Sequence, residues 1–174
     1  MVGDIKLVCF YGPESTGKSF MARRLAENYR TEFVPEVARE LIISNDFNQE
    51  DIILIARAQV ERTFAKARKA NKILLCDTDL ITTQIYARHY LGAVPPIIYE
   101  LEKMIEYDRY FLFDTDVPWV SDGLRDLGDE KKREEMFLIF KSELDSRGIS
   151  YVHVRGDWAE REQIIIRELT KILH

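Results

Sequence analysis

Among the chain's 174 residues, the stretch with the most specific chemistry is GPESTGKS, Gly12 to Ser19, which matches the pattern glycine, four residues, glycine, lysine, serine. It follows the apolar run IKLVCF and opens into a segment of helical period, the strand-to-helix context that a phosphate-binding loop requires. Loop amides and a helix N-terminus there present positive dipoles to phosphates. On this reading Glu14, Ser15, Thr16 and Gly17 form the cradle, and Gly12 and Gly17 let the backbone pass close to the ligand. Lys18 reaches the β- and γ-phosphates of ATP, and Ser19 coordinates Mg2+. Tyr11 and Phe20 flank the loop as packing residues, with Phe20 also bordering the ATP site.

The loop needs a carboxylate opposite Ser19, at the end of another apolar strand. ILLCDTD supplies Asp77 and Asp79, the first nearer the metal and the second nearer a second substrate; capping the helix that starts near Leu80 is the alternative for both. Glu36 and Arg39, in PEVARE, follow the second strand. They suit sugar hydroxyls and the transferring phosphate, or else form a surface pair on a helix. DTDVPWVSDGLRDLGDEKKREE is poor in apolar residues until Met136. It reads as a lid over about residues 119–135 that swings Arg125 onto the phosphates, or as a solvated loop, which accounts for Lys131, Lys132 and Arg133. Trp119, beside Pro118, offers a flat face to an aromatic or cationic ligand, with core packing as the alternative. In VRGDWAERE, Trp158 can border adenine, and a capping role for Asp157 is equally natural. His89, His153 and His174 show no metal-ligand spacing.

The elements that position these residues follow from hydrophobic patterning. Strands are expected at Ile5–Tyr11, Glu32–Glu36, Lys72–Asp77, Arg109–Asp114 and Ile149–Val154, each followed by helical sequence. The longest helix follows Asn48, an N-cap with an acid three residues on, and the last runs from Trp158 to Leu173 behind an Asp157/Glu160 capping box. Short apolar strands alternating with helices predict an α/β fold, a three-layer sandwich around a five-stranded parallel sheet, with ligands beyond the carboxyl ends of the strands. The length suits one domain over residues 1–174. A net charge of -5 disfavours a general nucleic-acid surface. Cys9 and Cys76 lie in apolar runs and read as buried thiols; the lack of a leader or a membrane-length apolar run fits a cytoplasmic protein.

GPESTGKS, PEVARE, CDTDLITTQ and DVPWVSDGLRDLG, in this order and spacing, resemble the ribosylnicotinamide (nicotinamide riboside) kinases, the P-loop AAA-type kinase domain of NadR-type NAD-biosynthesis proteins. The resemblance runs from about Ile5 to the C-terminus. It implies a nucleoside- and nucleotide-kinase-like fold and transfer of a phosphoryl group from ATP to the 5′-hydroxyl of nicotinamide riboside, giving nicotinamide mononucleotide. It further implies that Asp77 and Asp79 serve the metal and the riboside, and that Trp119 lies against the cationic nicotinamide, with Asp114, Asp116 and Asp122 close by in sequence. Glu36 and Asp79 would hold the sugar, Asp77 would orient Mg2+ or accept the hydroxyl proton, and Lys18 and Arg125 would neutralise the moving phosphoryl group. Two departures stand out. NadR-type proteins carry an adenylyltransferase domain before the kinase, whereas the first strand here begins near Ile5, which would leave any second step to another protein. Val37 stands where the resemblance leads us to expect an aromatic residue. A kinase for another nucleoside or nucleotide, with Arg39 holding a second phosphate, and a regulatory ATPase or nucleotide sensor are the competing expectations.

Overall fold

A computed structural model describes residues 4–44, 46–117 and 129–174. Its five strands are β1 (Lys6–Tyr11), β2 (Phe33–Val34), β3 (Ile73–Asp77), β4 (Arg109–Phe113) and β5 (Tyr151–Val154), all parallel in the order β2-β3-β1-β4-β5. The α/β fold expected from the alternating pattern is the one present. The order reverses beside β1, so the loops after β1, β3 and β4 open together at one edge of the sheet, where open α/β sheets take their ligands.

Alternation along the strands assigns side chains to two layers. Val8 and Phe10 of β1, Ile73 and Leu75 of β3, and Phe111 and Phe113 of β4 pack against α1 (Lys18–Tyr29) and α7 (Trp158–Leu173). The alternate residues Cys9, Tyr11, Tyr110 and Leu112 face α4 (Leu80–Leu91) and α6 (Glu130–Ser146). The longest helix, α3 (Gln49–Ala67), lays Ile52, Ala56 and Val60 against α4 and α5 (Pro96–Glu102). Both capping boxes form: Asn48 with Asp51 ahead of α3, and Asp157 with Glu160 ahead of α7. Cys9 and Cys76 are free thiols in the core.

Several boundaries differ from the pattern. β2 is cut to two residues because Pro35 has no N–H with which to continue a ladder. The short α2 (Val37–Leu41) stops before the β-branched pair Ile42 and Ile43, Ile42 turning extended at φ -105°. The lid expectation also needs correction at its C-terminal end. Residues 130–135 are the first turns of α6, capped by the Asp129 carboxylate, which accepts from the Lys131 and Lys132 amides. Arg133 is not solvated but buried on the core stripe of that helix, with Met136, Phe140 and Leu144.

Candidate active site

The phosphate loop bridges β1 and α1. Gly12 has φ +139°, and a Cβ there would meet the Phe113 carbonyl at 2.7 Å, so only glycine lets the loop cross the end of β4 so closely. Gly17 caps α1 at φ +90° with the Trp158 ring lying directly over it. Ser15, also left-handed at φ +56°, and Thr16 complete the turn. Thr16 is fully buried, its hydroxyl donating to the Pro13 carbonyl at 2.8 Å. The Lys18 ammonium folds over the loop and donates to the same carbonyl at 2.6 Å. Burial lowers its pKa, while the carboxylates of Asp77 and Glu36 counteract that effect.

Two arginines tie this loop to the rest of the site. Arg161 is completely buried and donates to the carbonyls of Thr16 (3.1 Å), Gly156 (2.8 Å) and Asp114 (3.2 Å) and to the Asp116 carboxylate. Arg133 donates to the carbonyls of Val117 (2.8 Å) and Ser15 (3.2 Å). Neither was among the expected site residues. The signal lay in their phase: Arg161 shares an i, i+4, i+8 stripe with buried Ile165 and Leu169, and Arg133 falls on the corresponding stripe of α6. A charge in phase with a core face has a fixed partner inside.

At the end of β3 the two aspartates have separate fates. The Ser19 hydroxyl donates to Oδ2 of Asp77, while Oδ1 of Asp77 is buried with no hydrogen-bond partner. Burial, reinforced by the Glu36 charge, pushes the Asp77 carboxyl up to about 6, against the pull of Lys18 and the Ser19 hydrogen bond. An orphaned buried carboxylate oxygen beside a P-loop serine is an all-oxygen donor set that fits Mg2+, which takes one or two protein ligands alongside water and phosphate. Asp79, expected to serve a second substrate or to cap the following helix, is the N-cap of α4. Its Oδ1 accepts from the Thr82 amide and hydroxyl at 2.9 Å and its Oδ2 from the Tyr110 hydroxyl at 2.8 Å, so both oxygens are engaged by the fold. Thr78, between them, is held at φ +73°, an outlier for a β-branched residue. Its amide donates to the Phe10 carbonyl at 2.9 Å, and this kink separates the two carboxylates.

Glu36 and Arg39 form an ion pair at 2.6 Å on the wall of a cleft bounded by α2, α3 and α4. Glu14 reaches the cleft from the phosphate loop and Thr78 from the end of β3, so the cleft adjoins the phosphate side of the loop. Val37 lines it too, and aromatic surface comes from Phe47, Tyr86 and Tyr90. These three, with Gln59, had no sequence motif to announce them; they are united only by the packing of three helices. Trp158 and Phe20 stand edge to face at 5.8 Å, about half exposed, over Gly17 and the start of α1. Asp116 is taken by Arg161 and the Gly156 amide, and Asp114 pairs with His153 at 2.6 Å; both therefore face α7 and β5. Trp119, Asp122 and Arg125 lie outside the described residues. Among the described residues no helix is long and apolar enough to cross a membrane.

A family model described as an AAA domain matches residues 7–161. The chain belongs to that family. It is 31% identical over 159 residues to the trifunctional NAD biosynthesis/regulator protein NadR of Salmonella typhimurium, covering 87% of this chain and 38% of the relative. NadR of Escherichia coli is also 31% identical over 159 residues, covering 88% of this chain and 39% of the relative. The chain thus spans less than two fifths of the length of these two relatives. A crystal structure of NadR in complex with NR superposes with a TM-score of 0.80 at 23% identity, covering 99% of this chain and 52% of that one. The fold is that of P-loop nucleoside and nucleotide kinases: deoxyadenosine kinase from M. mycoides superposes with a TM-score of 0.67 at 13% identity, covering 95% of this chain and 99% of that one.

Proposed function

We propose that the protein is an ATP-dependent kinase that phosphorylates the 5′-hydroxyl of nicotinamide riboside to give nicotinamide mononucleotide. One observation carries the kinase reading: the unpartnered Oδ1 of Asp77 lies at the base of the P-loop, beside the cleft that Glu14, Glu36 and Thr78 line. A nucleoside lying in that cleft would present its hydroxyl to a γ-phosphate held by the loop. The relation to NadR, one structure of which is a complex with NR, supports nicotinamide riboside as the acceptor.

In this account the loop amides and Lys18 grip the phosphates, and the dipoles at the start of α1 favour their negative charge. Ser19 and Asp77 would hold Mg2+, which when bound neutralises charge on the β- and γ-phosphates. The glycosidic ring and ribose occupy the cleft, with Glu36 oriented by Arg39 toward the sugar hydroxyls. As the 5′-oxygen bonds to the γ-phosphorus and the bond to ADP breaks, the hydroxyl proton passes to a carboxylate, Asp77 or Glu36. Positioning and charge stabilisation supply the acceleration, since no covalent intermediate is required. Trp119, Asp122 and Arg125 remain part of the proposal as riboside and phosphate contacts, and Trp158 and Phe20 as the border of adenine.

The reading is tested with purified protein, MgATP and nicotinamide riboside, following ADP by a coupled assay and the mononucleotide by mass. Stoichiometric formation of both products is expected. Turnover of other nucleosides with none of this one would overturn the acceptor assignment while leaving the kinase.

A further inference from the structure

Gln59 projects from α3 into the acceptor cleft, is only 2% exposed, and its amide nitrogen is buried without a hydrogen-bond partner. It lies on the helix stripe that buries Ile52, Ile55, Ala56, Val60 and Thr63, where an apolar side chain would pack without leaving a donor unmet. A buried polar group left unpaired is costly, and native folds rarely tolerate one that has no use. We infer that Gln59 reads a carbonyl oxygen on the ring of the phosphoryl acceptor, donating its amide N–H to it in the cleft. The inference deepens the kinase reading and rests on it for the identity of the occupant.

The rest of the cleft narrows the ring's chemistry. Phe47 and Tyr90 meet edge to face at 5.2 Å, and Tyr86 stacks near Tyr90 at 6.3 Å, giving walls suited to a flat ring. Two carboxylates, Glu14 and Glu36, also line the cleft, with Arg39 paired to Glu36. Aromatic faces favour an electron-poor or cationic ring over a neutral one. A planar cationic ring bearing a carboxamide meets both demands: the aromatic walls and the Gln59 donor. The carboxamide-bearing pyridinium of nicotinamide riboside has this chemistry, and the pyridinium riboside without the carboxamide is its natural control.

The test compares these two ribosides as substrates of wild type and Gln59→Leu, at saturating MgATP. Wild type should prefer the carboxamide riboside in kcat/KM by about tenfold or more, the scale of one buried hydrogen bond. Gln59→Leu should lose that preference through a higher KM for the carboxamide riboside, with little change for the plain pyridinium riboside. A purely structural role would shift both substrates together. Thermal melting of the ligand-free variant supplies an independent readout: removing an unpaired donor should leave Tm unchanged or raised. Should Gln59→Leu not fold, Gln59→Met carries the same comparison. Retention of the preference by a folded variant, or absence of a preference in wild type, would overturn the assignment. Calorimetric binding of both ribosides decides the matter without turnover, so a wild-type protein that binds with the preference yet transfers no phosphate would contradict the kinase reading and leave Gln59 standing.

Discussion

The phosphate loop and the cleft beside it meet at Glu14 but are built on opposite principles. On the loop side, backbone carbonyls are tied down: Pro13 by Lys18 and Thr16, Ser15 by Arg133, Thr16 by Arg161. On the cleft side, apolar and aromatic side chains from three helices surround an amide with no internal partner. On the proposed function, the difference follows from what each would bind. A triphosphate is recognised by backbone amides and charge, which demand a loop held in one shape, whereas a particular nucleoside is recognised by polar atoms that the fold leaves unmet. Asp77 and Asp79 repeat the contrast within one turn, one with an oxygen unmatched and the other with both oxygens bonded.

The largest effect expected from breaking this contrast is on the loop side. Lys18→Met should lower kcat by roughly 10³-fold, the scale lost when a transition-state charge stabiliser is removed. Its stability to urea should be unchanged or higher, because burial of the ammonium is itself a cost that depresses its pKa. Normal turnover in this variant would mean that the loop is not the donor site.

The aspartates should then separate in opposite directions. Asp79→Ala removes the cap of α4 and orphans the Thr82 amide and Tyr110 hydroxyl, so a loss of about 2 kcal/mol is expected by urea denaturation. Asp77→Asn should do the reverse, stabilising the ligand-free protein at pH 7 by about 1 kcal/mol while abolishing Mg2+-dependent transfer. The direction comes from the raised carboxyl: its folded pKa, about 6, lies above the ordinary value of 3.8, so the folded state takes up its proton more readily. The penalty for the charge is therefore absent below about pH 4 and grows as pH rises through 6, and stability of the wild type should fall across that window. Asp79, also raised to about 6 by burial, contributes to the same slope, so Asp77→Asn should flatten it only in part. Activity should run the other way, falling below about pH 6 as Asp77 takes up the proton that blocks metal binding.

Much of the frame was legible because strands buried on both faces read as unbroken apolar runs and their helices as phased stripes. The phosphate loop was legible because its chemistry is local: eight consecutive residues make the turn. Asp79 shows the limit of local reading, since a carboxylate after a strand suits both a site and a helix cap, and the cap becomes visible only in the positions of Thr82 and Tyr110. Arg133 and Arg161 were hidden by the convention that charges face water, although their phase placed them inside. The cleft was least legible of all, because Glu36 ahead of α2, Gln59 on α3 and Tyr86 on α4 converge only through tertiary packing.

The most direct measurement of the central claim follows the γ-phosphoryl group of labelled ATP in the presence of nicotinamide riboside. If the loop and the cleft are the two halves of one kinase site, the label should appear in the riboside 5′-phosphate, with little as inorganic phosphate, and transfer should vanish in Lys18→Met. Label released to water at a rate indifferent to any nucleoside would contradict the account and mark the protein as an ATPase.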